Sequence, residues 1–330
     1  MEKLDCRGLK AEARDALNRA PGRPDRLALY HALIAAAAAL LVSAIGVALE
    51  AGMNSTGGLS GLGTRKILGT AQSVLQAVLT MVTPFWSISY AFMALAFWRG
   101  QRTDSSTLLE GFRRFAPVLR FMILGYLIMV ALTLACSYLG LLLFLITPLS
   151  NRFIRVMAPL LDQPEFDPSL LVSQEGVMQA LLPFFLVFGL LALVIMVPAF
   201  YRFRLAEFAI MDHPEDGAFA AFRRSSRLTK RRRTQLLKLD LSFWWFYLLQ
   251  ILAGCICYGD VILEALGVNL GMPATVSYFL FYVLGLAAQV LLLWKTKNYV
   301  MVTYAAAYEE LSENPVQKPL PMPRRLPDRS

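Results

Sequence analysis

Six stretches of this chain contain no Asp, Glu, Lys or Arg: Leu27–Leu49, Ile67–Trp98, Phe121–Asn151, Gly176–Tyr201, Leu241–Gly259 and Ala265–Trp294. A bilayer hydrocarbon core of about 30 Å takes about 20 apolar residues of helix to cross. Lipid offers no hydrogen bonds to exposed backbone, so each stretch predicts one continuous helix. The stretches are uniformly apolar and not alternating, which argues against a β-barrel. They lack the polar stripe that a helix of a water-soluble domain turns to solvent. The pattern predicts an all-α polytopic membrane protein with six transmembrane helices, near 27–49, 71–98, 121–147, 177–201, 239–259 and 274–297. These form a membrane domain 27–311, between a cytoplasmic segment 1–26 and a disordered cytoplasmic tail 312–330 rich in Pro and charge.

The polar positions between the stretches set the orientation. Lys and Arg number seven through Arg26, five between Arg99 and Arg120, ten between Arg202 and Lys238, and six from Lys295 onward. The three alternate loops hold only Arg65, Lys66, Arg152 and Arg155. Basic residues accumulate on the cytoplasmic side, so both termini are expected in the cytoplasm. The first stretch reads as a retained span: 26 residues are long for a signal n-region, and Leu49-Glu50-Ala51-Gly52 offers no clear cleavage site.

Composition agrees, at 57% hydrophobic and 17% charged residues. The net charge of +9 is mostly this topology signal and no evidence for nucleic acid. Small residues Ala35 to Ala39, Ser43, Ala44 and Gly46 mark the first span as a packing surface, because close approach drives helix association in lipid. Pro84 and Pro198 predict bends. Residues 1–20 predict a short helix with Leu4, Leu9, Ala13, Ala16 and Leu17 as its apolar stripe. Cys136, Cys255 and Cys257 read as small apolar filler; Cys255-Ile256-Cys257 has neither redox nor zinc spacing. The Gly-rich loop Asn54–Thr64 lacks the order of a phosphate loop and reads as a linker.

Two connections resemble each other at an offset of 110 residues: Thr107-Leu108-Leu109-Glu110-Gly111-Phe112-Arg113-Arg114-Phe115 and Gly217-Ala218-Phe219-Ala220-Ala221-Phe222-Arg223-Arg224-Ser225. Both follow helix-start chemistry, at Asp104-Ser105-Ser106 and Asp212-His213-Pro214-Glu215-Asp216. They predict cytoplasmic interfacial helices within a parallel internal repeat of helical hairpins. In the second, Phe219 and Phe222 face the acyl boundary while Arg223, Arg224, Arg227, Arg231, Arg232 and Arg233 reach anionic headgroups or a partner. The competing reading is a stop-transfer charge cluster.

The segment from Tyr201 onward resembles the bacterial integral-membrane domain-of-unknown-function family 975. Its matching pieces are Asp212 to Ala218, Ser226-Arg227-Leu228, Lys230, Leu239-Asp240-Leu241-Ser242-Phe243, and the closing Tyr299, Thr303, Ala305 and Tyr308. Leu9 to Arg14 match the opening helix. The family's Gly after the Lys is Arg231 here, and its Pro before the closing Tyr is Asn298. The resemblance implies a multi-span protein of the bacterial inner membrane. It brings no activity, cofactor or catalytic residue.

No nucleophile, metal or phosphate motif is present, and the two histidines, His31 and His213, stand apart in sequence. Lys295 and Lys297 fall at the end of the last span and read as snorkelling groups. Uncharged polar residues within spans, such as Gln76, Thr80 and Gln250, read as packing glue. The expected role is non-enzymatic, in envelope or lipid organisation or as an assembly partner of another membrane protein. A water-accessible cavity lined by Ser87, Ser89, Tyr90 and Gln289 would mark a transporter instead, and titratable groups converging in a cleft an intramembrane enzyme.

Overall fold

The computed structural model describes residues 5–21, 23–55, 61–147, 150–151, 154–155, 177–268 and 271–312. The tail from residue 313, residues 56–60 of the Gly-rich connection and most of 148–176 lie outside the described residues, while the flanks of that connection continue α2 and α3. Described elements are all helical: α1 (Cys6–Arg19), α2 (Pro24–Ser55), α3 (Gly61–Trp98), α4 (Glu110–Arg113), α5 (Phe115–Ile146), α6 (Val177–Phe203), α7 (Ala206–Asp212), α8 (Gly217–Leu228), α9 (Arg233–Leu241), α10 (Trp244–Cys257), α11 (Gly259–Ala265) and α12 (Ala274–Leu311). Four stretches are long and apolar enough to cross a membrane: Pro24–Leu49, Phe115–Ile146, Leu182–Asp212 and Ala274–Leu311. A fifth is the pair α9 and α10 if counted as one span, although it bends by 59°.

The chain divides into two compact units, Arg120–Arg204 and the remainder. The smaller unit holds most of α5 together with α6. Gly140 of α5 lets the Phe188 and Leu191 side chains of α6 approach, and Phe144 meets Phe184 edge to face at 5.6 Å. Outward faces carry Tyr126, Leu134, Leu190 and Leu193, all strongly exposed. Water would penalise such a surface, and hydrocarbon accepts it.

In the larger unit, α2 runs antiparallel to both α3 and α12. Gly46 lies by Gln72 and the His31 ring by the Trp86 ring, which fixes the α2–α3 register. Tyr278 bonds Ser43 at 2.7 Å, Tyr282 donates to the Ala39 carbonyl at 3.3 Å, and Asn298 donates to the Pro24 carbonyl at 2.8 Å, which fixes α2 against α12. The C-terminal ends of α3 and α12 therefore meet at one end of the unit.

That end is packed differently from the rest. A 38-residue helix is about 57 Å long, nearly twice a bilayer core, so α12 cannot lie wholly within one. Its first half exposes Val276, Leu280, Val283, Leu284 and Leu291. From Val302 to Glu309 every residue is buried. There Arg99, at the end of α3, donates to Glu309, and Phe208 of α7 stacks on Tyr308 at 6.0 Å. Helix α3 follows the same plan: Val74 and Val82 are exposed, and Phe85 to Phe97 are nearly all buried.

Two local expectations change. The fifth span is broken at Ser242-Phe243, where Ser242 hydroxyl donates to the Leu239 carbonyl and Lys10 of α1 donates to the Ser242 carbonyl at 2.8 Å. Helix α10 alone is about 21 Å long. The first interfacial segment is helical but short, a 3₁₀ helix, Ser105–Leu109, followed by the single turn α4, and so shorter than α8. Gly111 explains this: its N–H donates to the Ser89 hydroxyl of α3 at 2.8 Å, and a Cβ there would lie 2.6 Å from the Phe85 carbonyl. The segment is drawn onto α3 before it can extend.

Candidate functional site

The polar residues of the packed end form two clusters and one exposed stripe. The first cluster closes the C-terminal ends of α3, α7 and α12. Arg99, just beyond α3, places Nη2 at 2.7 Å from Asp212 Oδ1 and 2.6 Å from Glu309 Oε1. Its Nε donates to the same Glu309 oxygen at 2.7 Å. Tyr308 donates to Asp212 Oδ2 at 3.1 Å, and His213 Nε2 lies 3.2 Å from that oxygen. Burial opposes charge on Arg99. The hydrogen bonds and charges of Asp212 and Glu309 outweigh it and hold the guanidinium above its ordinary pKa. Both carboxylates are held by one guanidinium, an arrangement that fixes helix ends and leaves no free base.

The second cluster surrounds Lys297, one helical turn or more before the enclosed part of α12. Its Nζ lies 3.2 and 3.3 Å from the two ring nitrogens of His31 and 4.4 Å from the centre of the Tyr90 ring. Tyr90 donates to the Asn298 Oδ1. Asn298, where the resembling family carries Pro, thus ties α3 to α12 and, through Pro24, to α2. The sequence reading as a snorkelling lysine missed this. A signal was available: Lys297, Val300, Tyr304, Tyr308 and Leu311 recur at three- and four-residue steps, so Lys297 continues a buried stripe while Lys295 is exposed.

The exposed stripe belongs to α8. Ala221, Phe222 and Ser225 are buried, with the helix packed on α7. Phe219, Arg223 and Arg227 stand at four-residue steps on the opposite, exposed face, and Phe219 is 76% exposed. Phe222 is committed to the protein interior and only Phe219 is free to insert elsewhere. Arg231 is exposed beyond the helix, while Arg224, Arg232 and Arg233 are half-buried. Arg224 approaches Asp216 at 3.9 Å. Among the described residues no carboxylate pairs with Arg223, Arg227, Arg231, Arg232 or Arg233. The first connection repeats part of this geometry. Phe112 stacks on Phe85 at 5.4 Å, Arg113 is exposed, and Arg114 turns in to donate to the Met211 carbonyl at 2.9 Å.

Helix α1 forms as the sequence foresaw and bears on the same end, burying Leu9 and Ala13 of its expected stripe. Asp5 caps it by accepting from the Arg7 N–H at 3.0 Å. Lys10 sits 3.9 Å over the Phe243 ring and Arg14 5.6 Å over that of Tyr299. Among the described residues no three His, Cys, Asp or Glu side chains gather as metal ligands. The four cysteines are free, with Cys257 buried and Cys255 exposed.

Fold and site together define an all-helical protein with four or five helices fitted to cross a membrane, and a larger unit closed at one end by a packed polar seam. No curated protein and no solved structure matches it. Residues 1–315 match the family described as "Protein of unknown function (DUF975)", and the chain belongs to that family.

Proposed function

We propose that this is a six-span protein of the bacterial inner membrane, with both termini in the cytoplasm and two like-directed hairpins. Its role is non-enzymatic: it organises anionic lipid at the cytoplasmic surface, alone or as an assembly partner of another membrane protein. The supporting observation is the α8 stripe, where Phe219 projects beside Arg223 and Arg227, neither of which has an acidic partner among the described residues. An aromatic flanked by unpaired guanidiniums at a bilayer edge offers insertion and headgroup attraction together, about 1 kcal/mol per basic residue near an anionic surface. The clusters at Arg99 and Lys297 consume their polar groups internally and favour a structural reading over catalysis. Of the four residues that would line a transport cavity, Ser89 and Tyr90 are fully buried and bonded within the protein, which supports the structural reading.

Two measurements test the proposal. Reporter fusions at Gly58, Pro168 and Val268 should report the outer side, and fusions at Asp104, Asp216 and Pro321 the cytoplasm; two reversed sites would overturn the topology. The full chain in nanodiscs should enrich phosphatidylglycerol over phosphatidylcholine in its retained lipid, with the enrichment lost in R223Q/R227Q/R231Q and weakened by salt. Equal enrichment in that variant would leave the arginines as topology signals only.

A further inference from the structure

The small residues of α2 do not close against its neighbours. Between α2, α3 and α12 lies a cavity of about 1030 Å³, open to the surroundings. Ala35, Ala38, Ala39, Ser43 and Gly46 form one long wall. At one end stand Trp86 and Phe112; at the other stand Tyr258, Asp260 and Thr275. The α2 wall runs from Ile34 to Val47, about 20 Å along a helix axis.

Among the described residues Asp260 is the one charged residue in the lining, and its Oδ1 is buried without a hydrogen-bond partner. A carboxylate oxygen withdrawn from water and left unpaired is costly, and a cation brought beside it relieves that cost. The rings of Tyr258, Tyr278 and Tyr282 line the same half of the cavity, with Tyr278 and Tyr282 stacked at 5.6 Å. Their hydroxyls do not compete for the carboxylate where they are already engaged: Tyr278 with Ser43, and Tyr282 with the Ala39 carbonyl. A carboxylate with aromatic faces and no opposing cation among the described residues is the chemistry that receives an ammonium group.

We infer that this cavity binds an amphiphile with a cationic ammonium head, the head beside Asp260 and the tyrosine rings, the alkyl tail along the small-residue wall of α2 toward Trp86. Length, wall and charge each select a part of this ligand. A 20 Å channel walled by Ala, Val and Gly accommodates a long alkyl chain. The single negative charge at one end sets its direction and excludes anionic heads. The site is separate from the α8 stripe, and its occupant is opposite in charge to the lipids proposed there.

The test uses the full chain in maltoside detergent, titrated with dodecyltrimethylammonium below its micellar concentration and followed by native mass spectrometry and thermal unfolding. Dodecyl sulfate shares the tail with the opposite charge, and tetramethylammonium supplies a head alone. The long-chain cation should bind one to one and outcompete both. D260N should weaken it by about tenfold or more, as expected for removing one member of a buried charge pair. G46L fills the wall, where an added Cβ meets only the Gln72 amide at 3.7 Å, and should abolish binding without lowering the unfolding temperature. Phosphatidylethanolamine that binds with the same Asp260 dependence identifies a membrane lipid as the occupant; binding confined to the single-chain cation identifies a diffusible amphiphile. Undiminished binding by both D260N and G46L, or equal binding of dodecyl sulfate, overturns the inference.

Discussion

Replacing Arg99 by Met should be among the most damaging single substitutions in the packed end. The guanidinium is the shared partner of Asp212 and Glu309, with contacts of 2.6 to 2.7 Å and side-chain exposures of 19%, 14% and 9%. Methionine keeps the length of the side chain and removes the charge, leaving two carboxylates side by side. Asp212 retains Tyr308 and His213, but Glu309 retains no other side-chain partner among the described residues. Breaking a buried ion pair at one partner costs about 3–5 kcal/mol, because the remaining charge stays desolvated. At about 2–4 °C per kcal/mol, the unfolding temperature should fall on the order of 10 °C. The triple variant R99M/D212N/E309Q removes all three charges and should recover to within about 1–2 kcal/mol of the wild type, since neutral replacement of a buried cluster avoids the orphaned charge. Thermal unfolding in detergent, read by intrinsic fluorescence and checked by circular dichroism, measures both. An R99M variant as stable as the wild type, or a triple variant as unstable as R99M, would refute the reasoning.

Arg231 has φ +66°, a left-handed backbone that costs an L-residue about 1–2 kcal/mol. R231G should therefore raise stability by about 1 kcal/mol, and a loss instead would show that its side chain is a structural contact. A Cβ at Gly285 would collide with Cys257 Sγ and lie 2.6 Å from the Cys257 backbone nitrogen. G285A should cost about 1–3 kcal/mol by forcing α10 off α12, and C257A should fail to rescue it because the backbone obstructs as well. N298A should cost about 1–3 kcal/mol by leaving the Tyr90 hydroxyl and the Pro24 carbonyl unpaired. Adding Y90F to N298A should then cost little more, and fully additive losses would count against a shared bond.

Charge-free length was the signal that reached furthest from sequence. It placed α2, α5, α6 and α12 because helix in lipid must be continuous and apolar, a constraint that acts on every residue of a segment. The stripe of α1 and the amphipathic α8 were legible for the same reason: a period of 3.6 is local. The break at Ser242-Phe243 was not legible, because a residue more than two hundred positions away, Lys10, helps to pin it. Nor was the shortness of the first interfacial helix, which depends on Ser89 of α3 receiving the Gly111 N–H. Candidate site residues divided along the same line. The α8 arginines were found by composition, while Phe222, assigned to lipid, is turned inward by packing on α7. Lys297 and Arg99 looked like ordinary charges at helix ends, and only the parallel course of α3 and α12 gives them buried partners.

The residues that carry the family pattern fall mostly at the packed end, and this bears on how an open cavity can persist among helices. Asp212 and Tyr308 belong to the Arg99 cluster; Thr303 and Ala305 lie in the enclosed part of α12; Ser242 and Phe243 receive Lys10. In hydrocarbon there is no hydrophobic drive between helices, so a wall of Ala, Ser and Gly invites close approach and should collapse onto its neighbours. It does not, because α2, α3 and α12 are not free to slide or tilt together. At the packed end Tyr90, Asn298 and Pro24 lock all three, with Arg99 and Glu309 beyond them. Toward the other end the backbone contact of Gly285 with Cys257 and the Ser43–Tyr278 bond hold α12 to α10 and α2. Burial and paired charge at one end thus fix the helix spacing that small residues alone would close, and the gap beside Asp260 remains open as a consequence of that frame.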